Sequence, residues 1–453
     1  MTLARRVGRV IPDKTLEAFW RGCRLGIYGL GLMALWNTVN TLVLQDRVEQ
    51  TAPAAWRGSA LGLVSLVGIG LATVVQPFAG RFSDEALLRD RRRPFVIGGT
   101  VAALPFLVVF GWAPGLALLM LGYAGMQIAL NVAQAAFQAF IPDLVPREER
   151  GVVSGAKNLL SVVGAAVGLL GARGLLALGF GTGAVLAFLA AALLTTAVLT
   201  WVWVPVPPRP SKPRQPLLKA LDPRRLWSSS VETFRRHRTF RYAVIAQFLF
   251  MLGTYPAQRF LLFLLEDRFG DENAVQRASV GLVAAIVCAA IAAGLAGAIS
   301  DHTGRLPVLY ATVVCGVAGM VGIGVAPTPL LVGAFGVILA IGVGAFQAVN
   351  WALLSDDMPE GEGARAFGLA NIATAGAGAL AGLFGPMVDV VDLVLPGGAY
   401  GLTFGLAALF VLASVLPLRR VDEKGGTEDR RNVTGTSPKP ARDGRRRRAA
   451  ESA

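Results

Sequence analysis

The chain has 453 residues, 54% of them hydrophobic and only 16% charged, with a formal net charge of +14. That apolar share exceeds the roughly 45–50% of soluble globular domains, and the mean hydropathy is +0.56, so a water-soluble enzyme or binding module is excluded and lipid is the expected solvent. Three cysteines, Cys23, Cys288 and Cys315, are odd in number and have no CxxC spacing, so neither a thiolate metal site nor a disulfide framework is indicated.

In chain order, residues 1–21 form a basic N-terminal segment with Arg5, Arg6, Arg9 and Lys14 and no cleavable signal core, so the first helix is expected to stay in place. Six apolar runs follow, near residues 22–44, 58–80, 94–112, 115–140, 151–172 and 182–204. Each is long enough to cross about 30 Å of hydrocarbon as a helix. Residues 205–240 read as a Pro-rich, basic linker. A second set of runs lies near 241–265, 278–299, 306–325, 329–354, 365–388 and 399–416, and residues 418–453 form a polar, Arg-rich tail expected to be disordered.

Basic residues recur in alternate loops: the N-terminus, Arg89 to Arg93, Arg147 with Arg150, the linker, and a tail with Arg445 to Arg448. The intervening loops, such as Ala113-Pro114-Gly115 and Glu266 to Glu272, are short, neutral or acidic. This is the positive-inside pattern. It predicts twelve spans with both termini in the cytoplasm and accounts for the positive charge without nucleic acid; the expected location is the inner membrane of a bacterium.

The two sets of runs match each other. Gly80 to Asp84 (GRFSD) corresponds to Gly297 to Asp301 (GAISD), Leu44 to Arg47 (LQDR) to Leu265 to Arg268 (LEDR), and Gln134, Asp143, Pro146, Gly155 and Asn158 to Gln347, Asp356, Pro359, Gly368 and Asn371. The order is kept at an offset of about 215 residues, the mark of a duplicated unit whose site lies between its halves. At these residues the chain resembles the major facilitator superfamily. The loop from Gly80 through Asp84 to Arg91-Arg92-Arg93-Pro94-Phe95 is similar to that superfamily's signature, and its RRRPF ending to the version in sucrose transporters and the glycoside, pentoside and hexuronide symporters. The weaker copy is DHTGRLP, Asp301 to Pro307. The resemblance covers roughly residues 20–417 and implies an all-α fold of twelve transmembrane helices in two pseudo-symmetric six-helix bundles. It also implies solute transport by alternating access, with a sugar or glycoside as the expected solute and an organic anion or drug-like solute as the alternative.

Gly80, Asp84, Arg91, Arg92, Arg93, Asp301 and Arg305 are the expected gating residues, since a carboxylate near helix amides and arginines makes a breakable latch. The arginines also suit anionic lipid headgroups. Polar residues inside spans are costly and mark solute paths. Gln127, Asn131, Gln134 and Gln138 share one face of the fourth helix. Asn37 and Asn40 lie in the first helix, Asn158 and Asn371 occupy equivalent places, and the tenth helix supplies Gln347, Asn350 and Trp351. Amides and indoles suit a hydroxyl-rich solute, although the same amides also join helices to one another. Arg259 and Lys157 lie inside spans, where Arg259 either grips an anion or pairs with Glu266 or Asp267. Gly164 with Gly168 and Gly378 with Gly382 read as close helix packing.

No GxxxxGK[ST] loop is present, which excludes ATP drive within the chain, and no catalytic constellation or cofactor motif appears. A carrier-fold sensor or assembly factor needs an interaction domain that neither linker nor tail offers. The sugar branch is associated with acids inside the N-terminal helices, yet the first, second and fourth helices hold none. Transport is therefore expected to be uncoupled, or coupled to protons through Asp143, Glu266, Asp267 or Asp356 near helix ends. Sodium coupling is not expected. The partners implied are a small-molecule solute, membrane lipids and protons on the second branch, with the protein a monomer.

Overall fold

The computed structural model describes residues 13–85, 92–146, 149–206, 232, 234–270, 274–356, 363–394 and 398–421. The linker core and the tail from Asp422 fall outside them. Among the described residues every regular element is helical, as lipid requires: only a helix or a closed barrel satisfies its own backbone inside a bilayer.

The first half comprises α1 (Asp13–Thr38), a π-helical turn (Val39–Val43), α2 (Leu44–Thr51), α3 (Arg57–Glu85), α4 (Arg93–Trp112), α5 (Leu116–Gln138), α6 (Phe140–Leu144), α7 (Arg150–Ala177) and α8 (Thr182–Trp203). The second comprises α9 (Arg238–Arg259), α10 (Leu261–Phe269), α11 (Ala274–Thr303), α12 (Arg305–Val325), α13 (Pro329–Asp356), α14 (Gly363–Leu380), α15 (Phe384–Val394), α16 (Ala399–Ala413) and α17 (Val415–Leu418). Among the described residues, eleven helical segments are long and apolar enough to cross a membrane, and α9 with α10, bent by 49°, make a twelfth when counted as one span.

Three of the expected runs are displaced or broken by irregular turns. The run expected over 22–44 is a longer path over 16–51, its register shifted by the π-helical turn. The helix expected over 241–265 breaks at Phe260, four residues beyond Pro256, and resumes as α10. The helix expected over 365–388 is interrupted by a tight turn at Ala381–Leu383 and runs on to Val394. Loops end where the chain needs conformations a side chain resists: Gly270 has φ +56° after α10, and Gly304 has φ +93° between α11 and α12.

Within the first half, α1 packs on α7 and α8, and α5 packs on α3 and α4. In the second, α13 packs on α11 and α12, and α9 on α14 and α16. Tyr28, fully buried, hydrogen-bonds Thr100 across 2.8 Å, and Phe250 stacks on Phe346 at 3.9 Å between centroids. Outward faces are apolar, as on α11, where Val287, Ile291, Leu295 and Ile299 form an exposed stripe. The halves meet where α3 packs on α14 and α15 and where α7 packs on α11.

Small residues set the tightest helix contacts. A Cβ at Gly164 would lie 2.1 Å from the Leu30 carbonyl oxygen of α1, and one at Gly168 2.4 Å from that of Ala34. Gly155, on the same helix, faces open space. Gly164→Val should therefore force α1 from α7 and destabilise the protein by about 1–3 kcal/mol, lowering the melting temperature of the purified protein in detergent. Gly155→Ala should leave it unchanged or raise it. Equal melting temperatures for the two variants would contradict this packing.

Candidate solute cavity and gate

A cavity of about 320 Å³ lies between the halves, lined from α1, α3 and α5 on one side and α9 and α14 on the other. That volume is at the small end of ligand sites. The α5 stripe supplies Gln127, Asn131, Gln134 and Gln138, and the π-helical turn brings Asn40 to the same wall. Tyr123 organises this wall. Its hydroxyl donates to Asn40 Oδ1 at 2.7 Å and accepts from Gln127 Nε2 at 2.9 Å, while Asn131 Nδ2 donates to the Gln127 carbonyl at 2.8 Å. Gln76 of α3 donates to Gln134 Oε1 at 3.2 Å. The opposite wall offers Tyr255, Gln258 and Arg259 from the end of α9 and Asn371 and Thr374 from α14.

Arg259 is the charged residue of this lining, which among the described residues contains no carboxylate. The break at Phe260 leaves Arg259 as the last residue of α9. Its Nη2 donates to the Gly378 carbonyl at 3.0 Å, whereas its Nη1 is buried without a partner. The indole Nε1 of Trp36, which also lines the cavity, is likewise buried and unpaired.

At one end the halves are tied together. Asp389 of α15 reaches the first turn of α3 and accepts from the amides of Gly58 at 3.0 Å and Ser59 at 2.6 Å. Helix N-terminal amides lack intrahelical acceptors and carry partial positive charge, so a carboxylate there satisfies both needs. Arg57 pairs with Asp267, which also accepts from Tyr400 at 2.5 Å. Gln45 Oε1 accepts from the Leu262 amide at 3.1 Å. Glycine lets the backbones touch: a Cβ on Gly385 would lie 1.9 Å from the Gly58 carbonyl oxygen, and one on Gly62 2.0 Å from that of Gly382. The hydrogen bonds and ion pairs joining described residues of the two halves all fall at this end.

Comparison with known proteins agrees with this architecture. A family model described as Major Facilitator Superfamily matches residues 25–383. The chain belongs to that superfamily. It is accordingly a membrane transporter, not an enzyme. Among solved structures, a bacterial homologue of the human lysosomal transporter Spinster, in an inward-facing and unoccupied conformation, is similar with a TM-score of 0.69 at 16% identity, over 91% of this chain and 98% of that one. The nucleoside transporter NupG gives a TM-score of 0.67 at 14% identity over 88% and 98%, and the human organic anion transporter MFSD10 gives 0.61 at 15% over 89% and 99%. At such identities these likenesses speak for the fold alone. Comparison with curated protein sequences finds no match.

Of the residues singled out in the sequence of this superfamily member, Asn40, Gln127, Asn131, Gln134, Gln138, Arg259 and Asn371 share the cavity. The others lie outside its lining. Asn37 donates to the Met33 carbonyl in its own helix, Asn158 is exposed on α7, and Gln347 is exposed with its amide 3.6 Å from Met251 Sδ. Asn350 is fully buried and donates to Gln247 Oε1 at 2.9 Å, and its neighbour Trp351 packs against the core. Lys157 rests on the Phe137 ring, 4.3 Å from its centroid.

Among the gating residues, Arg92 is buried and bonds Asp143 at 2.8 Å, which occupies one coupling candidate. Arg93 donates to the carbonyls of Trp201 and Val204. Asp301 and Arg305 form a local pair at 2.5 Å, one turn apart. The side chains of Gly80, Asp84, Arg91 and Asp356 lie outside the described residues. Sequence reasoning missed Gln76, Tyr255 and Gln258 as lining groups, and Asp389 and Arg57 as residues that tie the halves together. A lone Gln inside an apolar run was the available signal for Gln76; the pairing of Asp389 with amides about 330 positions away left none.

Asp389→Ala removes both acceptors, each a charge-assisted bond worth about 1.5–3 kcal/mol. In a background lacking Cys23, Cys288 and Cys315, a single cysteine at Ile69, a lining position, should then react at least about tenfold faster with a membrane-impermeant thiol reagent added from the Asp389 side. An unchanged rate would show that Asp389 does not hold this end shut.

Proposed function

We propose that the chain carries a small, hydroxyl-rich solute of the sugar or glycoside class by alternating access, with the amide-lined cavity as its binding site. The single observation behind this reading is the convergence of side-chain amides from the π-helical turn, α3, α5, α9 and α14 on one small volume flanked by Trp36 and Tyr255. Amides both donate and accept, as hydroxyls do, and aromatic rings cover the apolar faces between them. The closed end at Asp389 supports a state accessible from the opposite side. With the termini in the cytoplasm, as the loop charges suggest, that state is inward-facing in a bacterial inner membrane.

The same geometry bears on energy coupling. Asp143 and Asp267 are engaged by Arg92 and Arg57, whereas Glu266 keeps one buried oxygen without a partner. Glu266 is therefore the acid we assign to proton coupling if transport is coupled, and nothing in the described lining offers sodium a carboxylate.

Uptake by the purified protein in liposomes, screened with labelled sugars and glycosides, tests the reading. Gln138→Ala and Gln127→Ala should each weaken apparent affinity by about five- to a hundredfold, the worth of about 1–3 kcal/mol for a buried hydrogen bond. Gln347→Ala should leave affinity unchanged. Loss of affinity only in the Gln347 variant would overturn the site, and sodium-dependent uptake would overturn the coupling assignment. Solute-driven proton flux lost in Glu266→Gln selects symport, and uptake without proton flux selects facilitation.

A further inference from the structure

Arg259 poses a problem that the closed state leaves unsolved. A guanidinium removed from water costs several kcal/mol unless a counter-charge compensates it, and charges inside a membrane protein are normally paired. Here the only hydrogen bond described for Arg259 is to the neutral carbonyl of Gly378. It forms no ion pair among the described residues: Asp267 is held by Arg57 and Asp143 by Arg92. The described lining contains no Asp or Glu. The lining atoms left buried and unpartnered, Arg259 Nη1 and Trp36 Nε1, are both donors. A neutral polyol would leave the charge uncompensated, whereas an acceptor with negative charge would meet both needs.

We infer that the solute carries one acidic group, a carboxylate or its equivalent, held by Arg259 Nη1, with its hydroxyl groups on the amide wall. This rests on the carrier reading above and narrows its solute class to polyhydroxylated monoanions. The count of one follows from charge. Arg259 is the lining cation, and Lys157, the other intramembrane cation of interest, lies outside the lining against Phe137. A monoanion makes the occupied cavity neutral, a dianion leaves it negative, and a cation doubles its charge. The carbonyl of Gly378 fixes the guanidinium from the α14 side, so its free edge is positioned before the solute arrives.

The test uses matched probes and the full chain in detergent and in liposomes. Gluconate is compared with glucitol, and glucuronate with methyl glucoside, by ligand-induced shift in melting temperature and by uptake. The acidic member of a pair should bind at least about tenfold more tightly than its neutral partner. Arg259→Gln, which keeps a donor for the Gly378 carbonyl, should erase that preference, and Arg259→Lys should retain part of it. Melting temperatures without ligand separate this from a folding defect, and a role limited to tying α9 to α14 would lower them without altering the acid-to-neutral ratio. If the neutral members are bound and carried as well as the acids, or if Arg259→Gln keeps the preference, the inference falls while the carrier reading stands. If no member of any pair is bound or carried, the hydroxyl-rich solute class falls with it.

Discussion

The structure depends on one seam, where the start of α3 meets α14 and α15 at backbone contact. Gly58, Gly62, Gly382 and Gly385 allow approaches that any side chain would prevent, and this brings the Asp389 carboxylate onto the free amides of Gly58 and Ser59. In water such an interaction would compete with solvent. At 7% exposure Asp389 has little solvent to compete with, so the bond holds while the halves touch and is lost with its geometry when they part. Packing and hydrogen bonding are thus coupled at the same residues, which suits a contact with two discrete states better than a gradual one.

The bend at Phe260 is the second constraint. Beyond it α10 leaves at 49° toward the seam, where Leu262 meets Gln45 and Asp267 meets Arg57. Arg259 sits at the corner between these tasks. The residues just before the break face the cavity, and those just after it take part in closing the end. A movement of α10 that frees Asp267 from Arg57 therefore acts on the segment that ends at Arg259. The π-helical turn at Val39–Val43 stands in the corresponding place of the first half, turning Asn40 to the cavity and leaving Gln45 for the seam.

Much of this was legible in the sequence because lipid imposes simple rules. Uncharged runs gave the spans, loop charge gave the expected orientation, and the repeated Gln134 to Asn158 pattern revealed the two halves. The α5 stripe was legible because four amides at helical spacing must share a face. The duplication misled where it was taken to carry chemistry. Gln134 lines the cavity, but its counterpart Gln347 is exposed beside Met251, and Asn371 lines the cavity while Asn158 does not. Duplication preserves helix paths, and each half has since put its amides to different uses: Asn350 joins Gln247, which in turn bonds Thr374 at 2.6 Å, tying α13, α9 and α14 together. The tie between the halves was illegible because Asp389 accepts from backbone amides, which no residue identity announces.

The charges of the molecule are thereby sorted by position. Among the described lining residues Arg259 stands without a carboxylate, whereas Asp267, Glu266 and Arg57 lie at the closed end with acids in excess over the arginine between them. Recognition and closure thus draw on separate charges. Had a carboxylate stood in the cavity, it would have neutralised Arg259 in the empty state and competed with any anion for it. Its absence leaves the empty cavity positive, and the strength of a charge-assisted bond in a low-dielectric site then goes to the incoming group. At the other location, Asp267 is held by Arg57 and Tyr400 while the halves touch, whereas Glu266 keeps a buried oxygen without a partner beside the seam. A proton taken or released there would follow opening and closing and need not follow solute contact. On the proposed reading, coupling between proton and solute runs through the bend at Phe260, which gives the short segment from Tyr255 to Glu266 the place of a mechanical link between the cavity and the closed end.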